Sequence, residues 1–186
     1  MRIDLNGRKV LAIATNYGVE QDELDVPVQH LRSRGAVVTV AAAEPGVIQT
    51  LVNDKDTGKS IEADTTLDAV DADEFDLLLV PGGAINADKM RLNGDAVAIV
   101  RAFADAGKPI AAICHAPWTL IEADVVAGRT MTSFWSLKTD LRNAGADWKD
   151  EPNVIDESGD FVLITSRNPD DLDAFTTAID AVLVPA

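Results

Sequence analysis

Short apolar runs alternate along this chain with segments of helical periodicity. The strand-like runs are Lys9 to Ala14, Ala36 to Ala41, Phe75 to Val80, Ile110 to Ile113 and Phe161 to Ile164. β-Branched and aliphatic residues in runs of this length favour buried strands. A chain in which such strands alternate with helices forms a mostly parallel sheet covered by helices on both faces. We therefore predict an α/β fold, and the 186 residues suit one domain over positions 1–186.

The segments between these strands supply the predicted helices and one hairpin. The first helix has Leu24, Val28 and Leu31 at helical spacing and ends before Gly35, and the last begins with Asn168 as N-cap. Further helices are predicted from about Asp95 to Ala106, from the segment after Ile113 through Leu120 towards Gly128, and from Ser136 to Ala144. Residues 47–65 are predicted to form a hairpin that turns near Asn53-Asp54-Lys55-Asp56.

The strand from Ile110 to Ile113 ends at Cys114, the only cysteine of the chain. His115, one of two histidines, follows at once, and Pro117 suits the first turn of a helix. A thiol at a sharp strand-to-helix turn is typical of a nucleophile elbow. The helix N-terminus is expected to lower the pKa of this thiol. The alternative is an inert buried cysteine, which is common in cores.

Two other segments follow strands and are predicted to reach the same edge of the sheet as Cys114. Ligands of parallel α/β folds bind there, at the carboxyl ends of the strands. The first segment, residues 15–23, brings two carboxylates, of which Glu23 is favoured as the group that exchanges a proton with the sulfur and Glu20 is the second choice. Alternatively, both carboxylates only complement a helix N-terminus.

The second segment, residues 81–88, contains Pro81-Gly82-Gly83. Backbone N–H groups without side chains around them can stabilise an oxyanion, so Gly83 together with the N–H of His115 is a candidate oxyanion hole. The alternative interpretation of the two glycines is an ordinary tight turn.

Charge and composition exclude several classes of function. The net charge of −15 argues against nucleic acid and anionic membranes as partners. One cysteine excludes an internal disulfide and suits a reducing compartment, and the sequence has no apolar run long enough to span a membrane and no signal peptide, so cytoplasm is expected. One cysteine and two histidines make a zinc site improbable, and we expect neither metal nor another cofactor.

Several short motifs occur in an order that resembles the PfpI-type intracellular protease family. That family belongs to the superfamily shared by class I glutamine amidotransferases and the Parkinsonism-associated deglycase. The matching motifs run nearly end to end and include Gly18-Val19-Glu20-Gln21-Asp22-Glu23-Leu24, Pro81-Gly82-Gly83, Arg91-Leu92-Asn93, Gly107-Lys108-Pro109, Ile113-Cys114-His115 and Thr165-Ser166-Arg167.

The resemblance implies a flavodoxin-like three-layer sandwich in which Cys114 is the nucleophile, His115 its partner and Glu23 the family's glutamate. It also implies a homo-oligomer, a dimer or larger, in which a carboxylate after the double glycine reaches the neighbouring subunit, and Asp88 is the nearest matching position. Phe134 and Trp135 are expected to line the pocket together with Glu20. Two departures are Ala116, where the family usually has glycine, and Phe134, where an aromatic hydroxyl is common.

The resemblance implies an enzyme that acts on a small carbonyl compound or on a peptide or protein, as protease or amidase, glyoxalase III or deglycase. The alternative is a non-enzymatic stress protein, either a redox sensor that uses an oxidisable Cys114 or a chaperone-like oligomer. Glutamine amidotransferase activity is excluded, because that group needs a histidine late in the chain and none follows His115.

Overall fold

The computed structural model describes residues 3–184. The strands in that range are β1 (Lys9–Ala14), β2 (Tyr17–Glu20), β3 (Val37–Ala42), β4 (Val47–Val52), β5 (Asp56–Glu62), β6 (Thr65–Thr66), β7 (Leu77–Val80), β8 (Ile110–Ile113), β9 (Thr130–Met131), β10 (Asp147–Trp148), β11 (Asn153–Asp156) and β12 (Leu163–Ser166). The α-helices are α1 (Gln21–Ser33), α2 (Ala84–Met90), α3 (Gly94–Asp105), α4 (Pro117–Glu122), α5 (Lys138–Asn143) and α6 (Leu172–Leu183). Single 3₁₀ turns occur at Leu67–Ala69, Ala72–Glu74, Trp135–Leu137 and Pro169–Asp171.

Seven strands form the central sheet in the order β11-β12-β8-β7-β1-β3-β6. Every neighbouring pair is parallel except β11 and β12, which are antiparallel. The strand β8, which precedes Cys114, lies between β7 and β12 and is hydrogen-bonded on both sides. The predicted mostly parallel sheet is confirmed, and the sheet edge at which the carboxyl ends of β1, β7 and β8 meet is where such folds bind ligands.

Helices cover both faces of the sheet, which makes the molecule a three-layer sandwich. Alternate residues of β1 point to opposite faces, as the pleat requires. Leu11 and Ile13 pack with α3 and α4 in one buried cluster. Val10 and Ala12 pack with α1 and α6 in the other. The flavodoxin-like sandwich expected from the sequence is therefore confirmed, with a hydrophobic core on each side of the sheet.

A smaller sheet of β2, β4 and β5 lies beside the carboxyl end of the central one. The strands β4 and β5 form the predicted antiparallel hairpin. Its turn holds Asn53 and Asp54 in the left-handed region, with φ of 56° and 55°. Asn and Asp tolerate this conformation better than other non-glycine residues, which explains why the sequence turns there.

Several boundaries differ from the sequence prediction. The helix after Cys114 does not continue towards Gly128 but ends at Glu122, and Asp124 follows in the left-handed region with φ of 60°. The helix α2 was not predicted, because its seven residues are too short for a clear apolar period. The segment predicted as helical from Ser136 begins as a 3₁₀ turn before α5. Within residues 3–184, no helix has the length and apolarity needed to cross a membrane.

Candidate active site

Cys114 lies at the sharp turn between β8 and α4 and has a φ of 64°. Its N–H donates to the Ser166 carbonyl at 3.0 Å, and its own carbonyl accepts from the Phe134 N–H at 2.9 Å. A non-glycine residue in the left-handed region is strained by about 1–3 kcal/mol and persists only where its surroundings hold it. The predicted elbow geometry is therefore confirmed: two flanking segments hold the strained residue that carries the thiol.

His115 is brought beside the thiol by the same turn. Its Nδ1 lies 3.1 Å from the Cys114 sulfur, and its Nε2 lies 3.4 Å from the Ser136 hydroxyl. The imidazole stacks on Phe134, with ring centroids 4.6 Å apart. Burial lowers the pKa of His115 below its usual 6.5, opposed by the charge of Asp54, so the ring is largely neutral at pH 7. A neutral imidazole can accept or donate a proton at Nδ1.

Glu23 is fully buried in the first turn of α1. Its Oε2 accepts a hydrogen bond from the Gly82 N–H at 2.8 Å, and Oε1 is buried without a hydrogen-bond partner within residues 3–184. The Cys114 thiol is the adjacent side chain that interacts with the carboxyl. Burial raises the pKa of Glu23 from 4.5 to about 8. The carboxyl lies in the first turn of α1 but makes no capping hydrogen bond there, and it retains its proton at neutral pH beside the Cys114 sulfur, which favours proton exchange with the thiol over the alternative that it only complements the helix N-terminus.

The pKa of the Cys114 thiol is raised, not lowered as the sequence suggested. The main cause is burial, since the residue is 3% exposed, and the charge of an ionised Glu23 raises it further. The Gly83 N–H opposes both effects by its hydrogen bond to the sulfur. The helix that was expected to lower the pKa has only six residues. The repulsion disappears when Glu23 is protonated, so the thiol and the carboxyl act as one coupled pair.

The double glycine lets the site close around the sulfur. A Cβ added to Gly82 would lie 2.5 Å from Oε2 of Glu23 and 2.8 Å from Cβ of Cys114. Gly83 has a φ of 84°, and a Cβ on it would collide with the backbone of β2. These are contacts that only glycine permits. The two glycines are therefore more than a tight turn: they bring the Gly83 N–H up to the Cys114 sulfur.

The sulfur is reached through a cavity of about 360 Å³. Its lining residues are Glu20, Glu23, Asn53, Asp54, Cys114, Phe134, Trp135, Asn168, Pro169 and Asp170. Among residues 3–184, the lining thus contains four carboxylates and no basic side chain. The aromatic wall predicted from the sequence is present: Phe134 stacks on Trp135 with centroids 3.9 Å apart, and Trp135 is 64% exposed at the mouth.

Glu20 lines the cavity but does not contact the thiol. Its carboxylate accepts from the N–H groups of Asn53 at 3.0 Å and Asp54 at 2.9 Å, so its two oxygens hold the hairpin turn. This agrees with the choice of Glu23 over Glu20 as the carboxyl that faces the sulfur.

Asp88 and Ala116 complete the predicted set. Asp88 is exposed on α2 and does not line the cavity, so the structure of one chain does not bring it to Cys114. Ala116 is fully buried with φ of −50° and ψ of −35°, an ordinary helical conformation. Its methyl group therefore fits without strain at this position, where the resembling family prefers glycine.

Sequence reasoning missed Asp54. The turn that contains it was predicted, but nothing in a turn motif indicates which distant loop the turn contacts. Its Oδ1 accepts from the Ala84 N–H at 2.8 Å, and its charge acts on Cys114, His115 and Glu23. The only sequence signal for Asp54 was an acidic residue in a predicted turn. In the described part of the chain no group of His, Cys, Asp and Glu side chains is arranged to hold a metal ion.

Comparison with known proteins shows the family to which the chain belongs. The profile of the DJ-1/PfpI family matches residues 8–181. The chain belongs to the DJ-1/PfpI family. It is 41% identical over 170 residues to the Deglycase PfpI of Pyrococcus furiosus, which covers 90% of this chain and 94% of that protein. It is 35% identical over 177 residues to General stress protein 18 of Bacillus subtilis, with 95% and 98% covered.

A solved structure shares the architecture. DJ-1beta of Drosophila melanogaster superposes with a TM-score of 0.83 at 31% identity, which covers 95% of this chain and 90% of that one. The family resemblance stated from the sequence motifs is thereby confirmed.

Proposed function

We propose that this DJ-1/PfpI enzyme uses Cys114 to attack the carbonyl carbon of aldehydes and ketones, either free or attached to proteins by glycation, in protection against stress. The names of the relatives, a deglycase and a general stress protein, support this substrate class. The observation that carries the proposal is a strained thiol on the floor of a cavity, beside a buried carboxyl whose pKa is about 8.

The Cys114–Glu23 pair explains how a buried thiol becomes a nucleophile. The pair carries one proton in its reactive state, with Glu23 protonated and Cys114 as thiolate. The protonated carboxyl does not repel the thiolate, and the hydrogen bond from the Gly83 N–H stabilises it. His115 Nδ1, 3.1 Å from the sulfur, is placed to assist the transfer of the thiol proton.

The Cys114–Glu23 pair supplies both the nucleophile and the proton for the addition step. The sulfur forms a bond to the carbonyl carbon, and the π electrons of the C=O bond move to its oxygen. The Gly83 and His115 N–H groups form the predicted oxyanion hole, and the proton of Glu23 passes to the oxygen. The product is a neutral hemithioacetal and a Glu23 carboxylate, and the reverse transfer releases the thiolate.

Turnover of methylglyoxal by wild type and Cys114→Ala tests the proposal. Wild type should consume the dicarbonyl and form lactate: a proton moves from the former aldehyde carbon of the hemithioacetal to the neighbouring ketone carbon, which gives a lactoyl thioester, and water hydrolyses this to lactate and the Cys114 thiol. The variant should lose at least about 10³-fold in turnover because the nucleophile is gone. A parallel assay with a fluorogenic peptide distinguishes carbonyl chemistry from amide hydrolysis. Full methylglyoxal turnover by Cys114→Ala would falsify the assignment.

Oxidation of Cys114 is a second candidate function. The protonated Glu23 beside the sulfur favours it, because such a carboxyl can donate a hydrogen bond to a sulfenate or sulfinate oxygen. Peroxide would be the oxidant: the thiolate attacks one peroxide oxygen, and the other leaves as water. Mass spectrometry after graded peroxide should show Cys114 modified at doses that leave most of the protein folded. An unmodified Cys114 at doses that abolish turnover would exclude this role.

We also propose a cytoplasmic homo-oligomer in which Asp88 reaches a neighbouring active site. The exposed position of Asp88 on α2 supports it, since a carboxylate there is free to contact another subunit. Mixing Cys114→Ala with Asp88→Asn subunits tests it: if the site is shared, mixed oligomers should regain part of the activity that neither variant has alone. A fully active Asp88→Asn would contradict the proposal.

A further inference from the structure

We propose that Asp54 is a positioning residue that aims the Gly83 N–H at the Cys114 sulfur. It does so from the tip of the β4–β5 hairpin, by accepting a hydrogen bond from the next N–H in the loop, that of Ala84. The inference rests on the proposed function, because it assigns Asp54 to the oxyanion hole of that reaction.

Three consecutive N–H groups of the double-glycine loop point at three different acceptors. The Gly82 N–H donates to Glu23 Oε2 at 2.8 Å, and the Ala84 N–H donates to Asp54 Oδ1 at 2.8 Å. Between them lies the Gly83 N–H, which lowers the pKa of the Cys114 thiol, and a Cβ added to Gly82 would lie 2.8 Å from Cβ of Cys114, so the loop passes directly beside the thiol. Two carboxylates therefore fix the peptide units on either side of the one that carries the oxyanion donor. Without such fixation a glycine pair would sample many conformations.

Within residues 3–184, Asp54 supplies the acceptor for the Ala84 N–H, while Asn86 Nδ2 donates to the Gly82 carbonyl at 3.0 Å and also helps to hold the loop. Ala84 is the first residue of α2, and the residue before it, Gly83, has no side chain to cap the helix. The acceptor is supplied instead from 30 residues away in the sequence. A donor held in place before the reaction stabilises an oxyanion better than one that must be ordered during it.

The position of Asp54 is itself held by the active-site wall. Its own N–H and that of Asn53 donate to the carboxylate of Glu20, the residue that precedes α1. Both turn residues have positive φ, so the turn projects the Asp54 side chain towards the loop. The helix α1, which carries Glu23, and the hairpin, which carries Asp54, are thus joined through Glu20. One connected structure orients both carboxylates that fix the loop.

Two properties of Asp54, its Oδ1 acceptor and its negative charge, have opposite effects on the pKa of the Cys114 thiol. The charge raises the pKa of Cys114, as does that of Glu23, whereas the N–H of Gly83 lowers it. His115 is the other titratable group beside the sulfur, and the charge of Asp54 raises its pKa as well. Asp54→Asn removes the charge and keeps the Oδ1 acceptor. Asp54→Gly removes both without straining a residue at positive φ. Comparison of these two uncharged variants isolates the acceptor.

The experiment measures kcat and KM for methylglyoxal, and the pH midpoint of Cys114 alkylation by iodoacetamide, in both variants. Asp56→Asn and Asp56→Gly are the matched controls, because Asp56 is an exposed aspartate of the same hairpin outside the cavity. Thermal unfolding and near-UV circular dichroism confirm that each variant is folded.

We expect Asp54→Gly to lose about 10-fold in kcat with KM within about 3-fold, since removing an oxyanion donor outright costs about 10²–10³-fold and a misaimed one less. Asp54→Asn should keep kcat within about 3-fold. The alkylation midpoint of Asp54→Gly should lie about 0.5 pH unit above that of Asp54→Asn, because the thiolate loses its N–H donor. Both Asp56 controls should match wild type.

Either of two results would overturn the inference. One is that Asp54→Gly and Asp54→Asn have the same kcat and the same alkylation midpoint. The other is that Asp54→Asn is as impaired as Asp54→Gly, which would assign the effect to charge. If Asp54→Gly does not fold, Asp54→Glu replaces it: this variant keeps the charge and displaces the acceptor, so loss of kcat supports positioning and full kcat contradicts it.

The alkylation measurement tests this inference independently of the proposed function. If wild type does not turn over methylglyoxal, the proposed substrate class fails. The difference in midpoint between the two uncharged variants still shows whether Asp54 orients the Gly83 N–H, because iodoacetamide reacts with the thiolate whatever the natural substrate is.

Discussion

Two buried carboxylates of this protein, Asp156 and Glu23, have opposite environments. Asp156 is 5% exposed at the end of β11 and accepts from the Thr130 N–H at 2.6 Å, the Ser158 N–H at 2.7 Å and the Arg129 Nε at 3.2 Å. Burial raises its pKa, but the hydrogen bonds outweigh burial and lower the pKa to about 2. Glu23 is 0% exposed, has one backbone donor and no cationic partner within residues 3–184, and has a pKa of about 8.

Under the proposed function, this difference separates a structural charge, Asp156, from a reactive group, Glu23. A buried charge that is paired and hydrogen-bonded holds its surroundings together, and removal of one partner leaves the other uncompensated. A buried carboxyl without a cation adds nothing to stability in its charged form. It is retained where its proton is used, and perturbed pKa values accordingly cluster at functional sites. Asp156 joins the edge of the sheet to Arg129, whereas Glu23 faces the thiol.

The largest effect is expected at Asp156, the buried carboxylate that is paired with a cation. Asp156→Ala should lower the free energy of unfolding by about 3–5 kcal/mol, because it leaves the buried Arg129 guanidinium without its anion. Urea denaturation at pH 7 measures the loss. Turnover by the fraction that remains folded should be close to that of wild type, since Asp156 lies outside the cavity. A loss below about 1 kcal/mol would mean that the ion pair has little structural role.

The pH dependence of stability should have opposite signs at the two sites. Glu23 binds its proton more tightly when folded, so its stabilising contribution is complete below pH 4.5 and is lost as pH rises through about 8. Asp156, with a folded pKa of about 2, stabilises above pH 3.8 and loses this contribution as pH falls through about 2. Glu23→Gln should therefore gain stability relative to wild type between pH 5 and pH 9, by up to about 4 kcal/mol. Chemical denaturation at several pH values checks this, and a constant difference would contradict the raised pKa.

The same variant should lose activity while it gains stability. Glu23→Gln should lower kcat for methylglyoxal by about 10²-fold, because glutamine cannot exchange a proton with the thiol. Glu122→Gln, an exposed glutamate of α4, is the control and should leave kcat unchanged. An active Glu23→Gln would show that Glu23 is buried for a reason other than proton transfer.

The sequence indicated Glu23 as the carboxyl beside Cys114, whereas it did not indicate the buried ion pair of Asp156 with Arg129. The succession of the main strands along the chain, the hairpin, Cys114 and the choice of Glu23 followed from apolar runs, turn residues and family motifs, all of which are local in sequence. Ser158 lies two residues from Asp156, but the bonds from Asp156 to Thr130 and Arg129 and from Asp54 to Ala84 join residues 26 to 30 positions apart. No local pattern encodes such contacts. The raised pKa of Cys114 was missed because burial, which the sequence does not show, outweighs the short helix α4.

The smallest effect is expected at Ala116, where the family pattern and the structure disagree. Ala116 has ordinary helical dihedrals and packs its methyl group in the core, so glycine offers no relief of strain there. Ala116→Gly should cost about 1–2 kcal/mol of stability, from lost methyl burial and greater freedom of the unfolded chain. Its kcat should stay within about 2-fold, because the φ of 64° at Cys114 is fixed by hydrogen bonds to Ser166 and Phe134 and not by residue 116. A rise in kcat above about 10-fold would instead show that the methyl group tilts the thiol away from Glu23, and that the reactive pair is not yet optimally placed.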